Sequence, residues 1–158
     1  MNNIKQFKLK KNLQCTRFLD QKKEKFELEF NLEQGTSFNT FFSVEDDCLI
    51  IIHPPETNNF DSFLTIIKNY IDEFSLKKIN IITGHINPKI VETIKKIKNY
   101  FNNLIITSSV PGNKLICELW EQKKPGEKDE LSVNLPHIEI IKKEVILEFK
   151  NNTFQLIP

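Results

Sequence analysis

The sequence predicts an α/β protein of the α+β kind, a mixed β-sheet with helices over one face. Three observations carry this. The first 55 residues alternate apolar and polar with period two, the pattern of strands with one buried face. Between Phe60 and Trp120 apolar residues instead recur at three and four, with short apolar runs between the stretches. From Ile138 the alternation returns. Antiparallel strands, then strand–helix units, then antiparallel strands again make a mixed sheet. With 158 residues the chain has room for one domain, taken as 1–158.

Each element has its own signal. Lys25 to Leu32 places its apolar residues on even positions and reads as one strand. Gly35 punctuates the chain. Ser37 to Val44 and Cys48 to Ile52 are two more strands, joined by an acidic turn at Glu45-Asp46-Asp47. Leu49 to Ile52 does not alternate, as in a strand buried on both faces, and Pro54-Pro55 ends it. Phe60, Phe63, Leu64, Ile67, Tyr70, Ile71 and Phe74 form the stripe of a first helix, with Asn58 or Asn59 as its cap. Ile79 to Ile82 is a strand, and Ile90, Ile94, Ile97 and Phe101 mark a second helix. Leu104 to Ile106 is a strand, and Leu115, Ile116, Leu119 and Trp120 lie on a third helix. The polar stretch from Glu121 to Glu130 reads as a loop. Helices over one face leave the other face bare unless something covers it, and the final strand pattern, Phe154 to Pro158, simply stops.

Composition excludes several classes. Apolar residues make up 39% and charged residues 27%, as in a globular protein rather than a disordered one. The longest apolar run, Cys48 to Ile52, is far short of the roughly 20 residues a membrane helix needs. Met1 to Lys5 opens no secretory signal. A net charge of +1 gives no bulk attraction to nucleic acid or acidic membrane. Cys15, Cys48 and Cys117 show neither zinc-clip nor redox spacing. They read as reduced thiols in a cytoplasmic protein, with Cys48 and Cys117 as packing residues. The lysine runs, such as Lys8, Lys10 and Lys11 or Lys95, Lys96 and Lys98, read as solvated faces.

No phosphate loop, zinc-protease helix or dinucleotide fingerprint is present. His85 sits between a strand and a helix, where mixed α/β sheets place their chemistry. Asn87 and Pro88 also suit the plain start of a helix. His53 follows a buried strand and falls on the same edge as His85. His137 opens a terminal strand. The clusters Glu45-Asp46-Asp47 and Glu127, Asp129, Glu130 read as solvated turns.

The stretch Phe26 to Phe41, with Gly35-Thr36-Ser37-Phe38-Asn39-Thr40, resembles the opening of flavodiiron proteins and their Gly-Thr-x-x-Asn-Ser pattern. Ile51-Ile52-His53-Pro54-Pro55 is similar to the family's Leu-Ile-Asp-Pro strand, and Gly84-His85 falls in the expected order. The resemblance runs from about Leu13 to Pro158. It implies the first half of a metallo-β-lactamase-like αββα sandwich, without flavodoxin-like or flavin reductase domains. Intact relatives carry a non-haem diiron centre and FMN, and pass electrons from reduced nicotinamide to oxygen. The family's ligand motif, His-x-Glu-x-Asp-His, aligns with His85, Asn87, Lys89 and Ile90. His85 alone matches and is the one candidate ligand. Iron needs carboxylates and imidazoles, and the Lys89 ammonium would repel it. The form Gly-His-x-Asn-Pro is similar to that of cyanobacterial oxygen-reducing paralogues with altered ligands.

The resemblance therefore implies an amino-terminal part of a flavodiiron-like oxygen reductase, inactive alone. No cofactor, catalytic residue or cofactor-binding residue is expected in this chain by itself. The alternative is a non-catalytic interaction module in a homo- or hetero-oligomer with a flavodiiron relative, with no nucleic acid or membrane partner. A metallo-β-lactamase-like hydrolase is a third reading.

Overall fold

The structure, a computed structural model, describes residues 4–21, 25–26, 30–31, 35–122, 134–143, 145–148 and 153–156. Strands β1 (Ile4–Lys10) and β2 (Leu13–Asp20) come first, followed by the short β3 (Lys25–Phe26) and β4 (Phe30–Asn31). Next come β5 (Thr36–Glu45), β6 (Cys48–Ile52), β7 (Lys78–Ile82), β8 (Leu104–Ser109) and β9 (His137–Ile141). Helices α1 (Phe60–Phe74), α2 (Pro88–Tyr100) and α3 (Val110–Glu121) link β6 through β9. The pair β10 (Val145–Glu148) and β11 (Thr153–Leu156) closes the order.

One seven-stranded sheet runs β1-β2-β5-β6-β7-β8-β9. Neighbours from β1 to β6 are antiparallel, and those from β6 to β9 are parallel. The three parallel crossovers advance in one direction across the sheet. Right-handed crossovers that advance one way stack their helices on one face, as the sequence predicts.

Glycine is required at one turn. Gly35 has φ +75°, and a Cβ there would lie 2.9 Å from the Asp20 carbonyl carbon. This close approach lets β5 start its pairing with β2, at Asp20 opposite Thr36.

Burial follows the alternation. Phe18, Phe42, Leu49, Ile51, Ile79, Ile81 and Ile106 face the helices and join Phe63, Ile67, Ile94, Ile97 and Ile116 in one core. Phe63 of α1 stands edge-on to Phe18, with ring centroids 6.1 Å apart, and tilts against Phe42 at 6.0 Å.

The structure differs from the sequence pattern at several points. The single strand from Lys25 to Leu32 is instead two short antiparallel arms, with Lys25 opposite Asn31 and Phe26 opposite Phe30. Period-two alternation continues through both arms of a hairpin, so it does not distinguish them from one strand. Strand β9 is parallel to β8 rather than antiparallel, because α3 returns the chain to the same sheet edge. The face away from the helices is not bare. Cys15, Ser43, Glu45, Ile50, Ile82 and Thr107 alternate onto it, and all six are buried within the single chain. Glu45 is no solvated turn residue, since Ser43 Oγ donates to its carboxylate at 2.9 Å. Asn59 occupies the α1 cap position without a side-chain cap bond, and Asn58 donates instead to Asp20. A 3₁₀ turn, Thr57–Asn59, feeds the helix. The lysines of α2 do more than solvate a face. Lys95 Nζ donates to the Leu119 carbonyl at 3.2 Å and lies over Trp120, and Lys96 lies over Phe60. Cys15 is the buried cysteine, while Cys48 and Cys117 are half-buried; all three are free. The loop from 123 to 130, with Glu127, Asp129 and Glu130, lies outside the described residues.

Candidate functional site: the carboxyl edge of the parallel strands

Parallel strands β6, β7 and β8 end at one edge, and the residues just beyond them converge there. His53 follows β6. Its φ is +61°, a left-handed conformation uncommon for residues other than glycine and asparagine. Two hydrogen bonds hold it. The His53 amide donates to the Ile82 carbonyl at 3.0 Å, and Thr40 Oγ1 donates to the His53 carbonyl at 2.8 Å. Thus Thr40, the last residue of the Gly35–Thr40 pattern, fixes the turn that carries His53. Asn39 of the same pattern accepts from Arg17 Nε at 2.9 Å.

The His53 ring is half-buried. Burial pushes its pKa below the ordinary value, and the nearby His85 pushes it in the same direction. His85 is exposed, in the loop after β7. The two histidines that the sequence places on one edge therefore do share it. His137 does not: it pairs with Ile105 at the opposite end of the parallel strands. Thr83 and Ser108 add two buried hydroxyls at the ends of β7 and β8, and neither has a hydrogen-bond partner among the described residues.

The folded-state pKa of His53 lies below its unfolded value, so the unfolded chain takes the proton first. The stability that neutral His53 preserves is intact above about pH 6.5, the ordinary histidine value, and falls as pH drops below it. His53→Asn is expected to keep the fold, because asparagine tolerates positive φ, and to flatten the fall in melting temperature between pH 7 and 5. His53→Val is expected to lower stability by about 1–2 kcal/mol at pH 8 through backbone strain. Equal pH profiles for wild type and His53→Asn would reject this account.

The next loop holds the aligned ligand positions. Asn87 caps α2, its Oδ1 accepting from the Ile90 amide at 2.9 Å, while Pro88 opens the helix. Its Nδ2 donates to Glu56 Oε1 at 3.2 Å. Lys89 Nζ lies 3.6 Å from Glu56 Oε2. The Glu56 side chain is only 6% exposed, so its carboxylate is held inside by an amide on one oxygen and an ammonium beside the other. Thr57 Oγ1 donates to the Lys89 carbonyl at 3.1 Å, closing the cluster. Ile90 is buried in the core.

These residues do not fit a diiron centre. Two of the four aligned positions bind Glu56 and one packs in the core, which leaves His85 as the one aligned position with a ligating side chain. Among the described residues, no group of three or more His, Cys, Asp or Glu side chains is placed to hold a metal ion.

Glu56 is the residue that sequence reasoning missed. Its one signal is an acid directly after Pro54-Pro55, a position that also suits an ordinary exposed loop.

The mixed sheet with helices on one face matches the metallo-β-lactamase-like fold. A metallo-β-lactamase from Pontibacter korlensis superposes with TM-score 0.61 at 10% identity, covering 96% of this chain and 59% of that one. More specifically, the fold is that of flavodiiron cores. A metal-soaked flavodiiron core from Synechocystis sp. superposes with TM-score 0.73 at 19% identity, covering 99% of this chain and 40% of that one. In sequence, the chain is 28% identical over 130 residues to an uncharacterized protein of Methanocaldococcus jannaschii, covering 80% of this chain. It is 30% identical over 89 residues, 56% of its length, to the Nostoc sp. protein named diflavin flavoprotein A 6. It spans 32% and 15% of those two relatives' lengths. No family model matches the chain. The flavodiiron resemblance carried by Gly35–Thr40 and Gly84-His85 is thus supported in both sequence and fold. Among the described residues, no helix is long and apolar enough to cross a membrane.

Proposed function

We propose that residues 1–158 are the amino-terminal part of a flavodiiron-like oxygen reductase, a partial metallo-β-lactamase-like domain that reduces no oxygen by itself. One observation carries this reading. Glu56 takes up the Asn87 amide and the Lys89 ammonium, so the loop corresponding to the ligand motif closes on a protein carboxylate. His85 is the one matching position, and one imidazole does not make a diiron site. The same loop counts against a hydrolase, which needs a metal-bound water. We place the chain in the cytoplasm, in keeping with three free thiols.

Pairing with a flavodiiron relative is the second reading. Its support is narrower than the sequence suggests, because the face away from the helices is covered at its centre. The exposed outer edge of β1 remains for such pairing, blunted by Lys5, Lys8 and Lys10.

Metal content tests the proposal. After incubation with ferrous iron under anaerobic conditions and removal of excess, the chain is expected to retain far less than one iron per molecule. Replacing His85 by Ala is expected to leave that figure unchanged. Stoichiometric iron lost on His85→Ala would overturn the proposal and restore His85 as a ligand.

A further inference from the structure

We propose that the groove between the β1–β2 hairpin and α1 binds a free organic anion with an apolar body, of the medium-chain carboxylate type. The site lies away from the His53–His85 edge, beside Val44, where β5 approaches its turn into β6. It depends on neither histidine and is independent of the reading above.

The groove follows from the layer count. Among the described residues, three helices cover a sheet of seven strands, and β1 runs exposed along all but its first residue. Gln6, Lys8 and Gln14 alternate onto the helix side of the hairpin, beside the outer stripe of α1, Ile66, Tyr70 and Phe74. Between them opens a cavity of about 660 Å³. That volume falls in the range of small-molecule sites.

Its wall is preformed. The Tyr70 hydroxyl is hydrogen-bonded to Gln14 Oε1. The Tyr70 ring stacks on Phe42 at 5.3 Å, and Phe74 packs against Tyr70 at 6.1 Å. Phe74 is 47% exposed, a large apolar surface turned to water beside the cavity. Val44, Leu13 and Ile66 extend the apolar lining.

Charge selects the ligand. Lys8, Lys10 and Lys11 line the cavity, and Glu73 is the one acid among its lining residues. None of the three lysines is in an ion pair with a described residue. Ammonium groups on flexible stems suit a compact anionic head, and the aromatic and aliphatic wall suits an alkyl tail. A cation with the same tail would meet the three lysines, and a neutral alcohol would leave them unused.

Calorimetric titration of the full chain with decanoate, below its micelle concentration, tests the site. Decanol and decyltrimethylammonium are the matched probes. Decanoate is expected to bind at one site, at least tenfold more tightly than either control. The variant Lys8→Ala/Lys10→Ala/Lys11→Ala changes only exposed side chains. It is expected to keep the wild-type circular dichroism spectrum and to weaken decanoate at least tenfold, and Phe74→Ala is expected to weaken it severalfold. Equal binding of all three probes would overturn the proposal, as would a triple variant that binds like wild type. Binding to anionic phospholipid vesicles without binding of free decanoate would also overturn it, in favour of a membrane surface.

Discussion

Phe63→Ala is expected to lower unfolding free energy by about 3–5 kcal/mol, the usual range for emptying a buried aromatic site. Phe63 is fully buried near the start of α1. Its ring meets Phe18 of β2 and Phe42 of β5, so one side chain joins the helix layer to the antiparallel half of the sheet. Truncation removes apolar contact on all these sides, and a neighbouring backbone moves too little to refill the space. Urea denaturation should show a lower midpoint with an unchanged slope. A loss under about 1 kcal/mol would mean that the ring does not sit between helix and sheet.

Glu56→Ala is expected to cost about 2–3 kcal/mol, although Glu56 lies in a loop, where most substitutions cost little. The greater part comes from the hydrogen bond to Asn87, which ties the cap of α2 to the chain leaving β6. Lys89 contributes less, about 0.5 kcal/mol, because half of its side chain is in water. Glu56→Gln keeps an acceptor for Asn87 and is expected to cost about 1 kcal/mol. A double-mutant cycle with Asn87→Ala should give a coupling of about 1 kcal/mol. Strict additivity of the two changes would remove the Glu56–Asn87 bond from the account of this loop.

This loop also shows how far the site was legible. His53 and His85 stand out because each follows an apolar strand, and parallel strands bring such positions to one edge. The Asn87 cap is legible because Asn-Pro before an apolar stripe is a local signal. The partner of Asn87 and Lys89 is not local. Glu56 lies 31 residues from Asn87, and its role depends on how α1 carries the chain from β6 to β7. The left-handed turn at His53 was equally hidden, because the hydroxyl that holds it belongs to Thr40 on the neighbouring strand.

The sequence by itself determined the periods, and with them the three helices and most strands of the sheet. Period is a property of the chain alone: a strand turns its side chains every second residue and a helix every 3.6. The sequence also determined that Asn87, Lys89 and Ile90 differ from the ligand types of the resembling motif. Only the tertiary structure decided the rest. It made two short arms of Lys25 to Asn31, set β9 parallel to β8, buried the face away from the helices, and turned Asn87 and Lys89 toward Glu56. These are relations between distant segments. They are decided by which pairing buries the most apolar surface while leaving each buried polar group a partner.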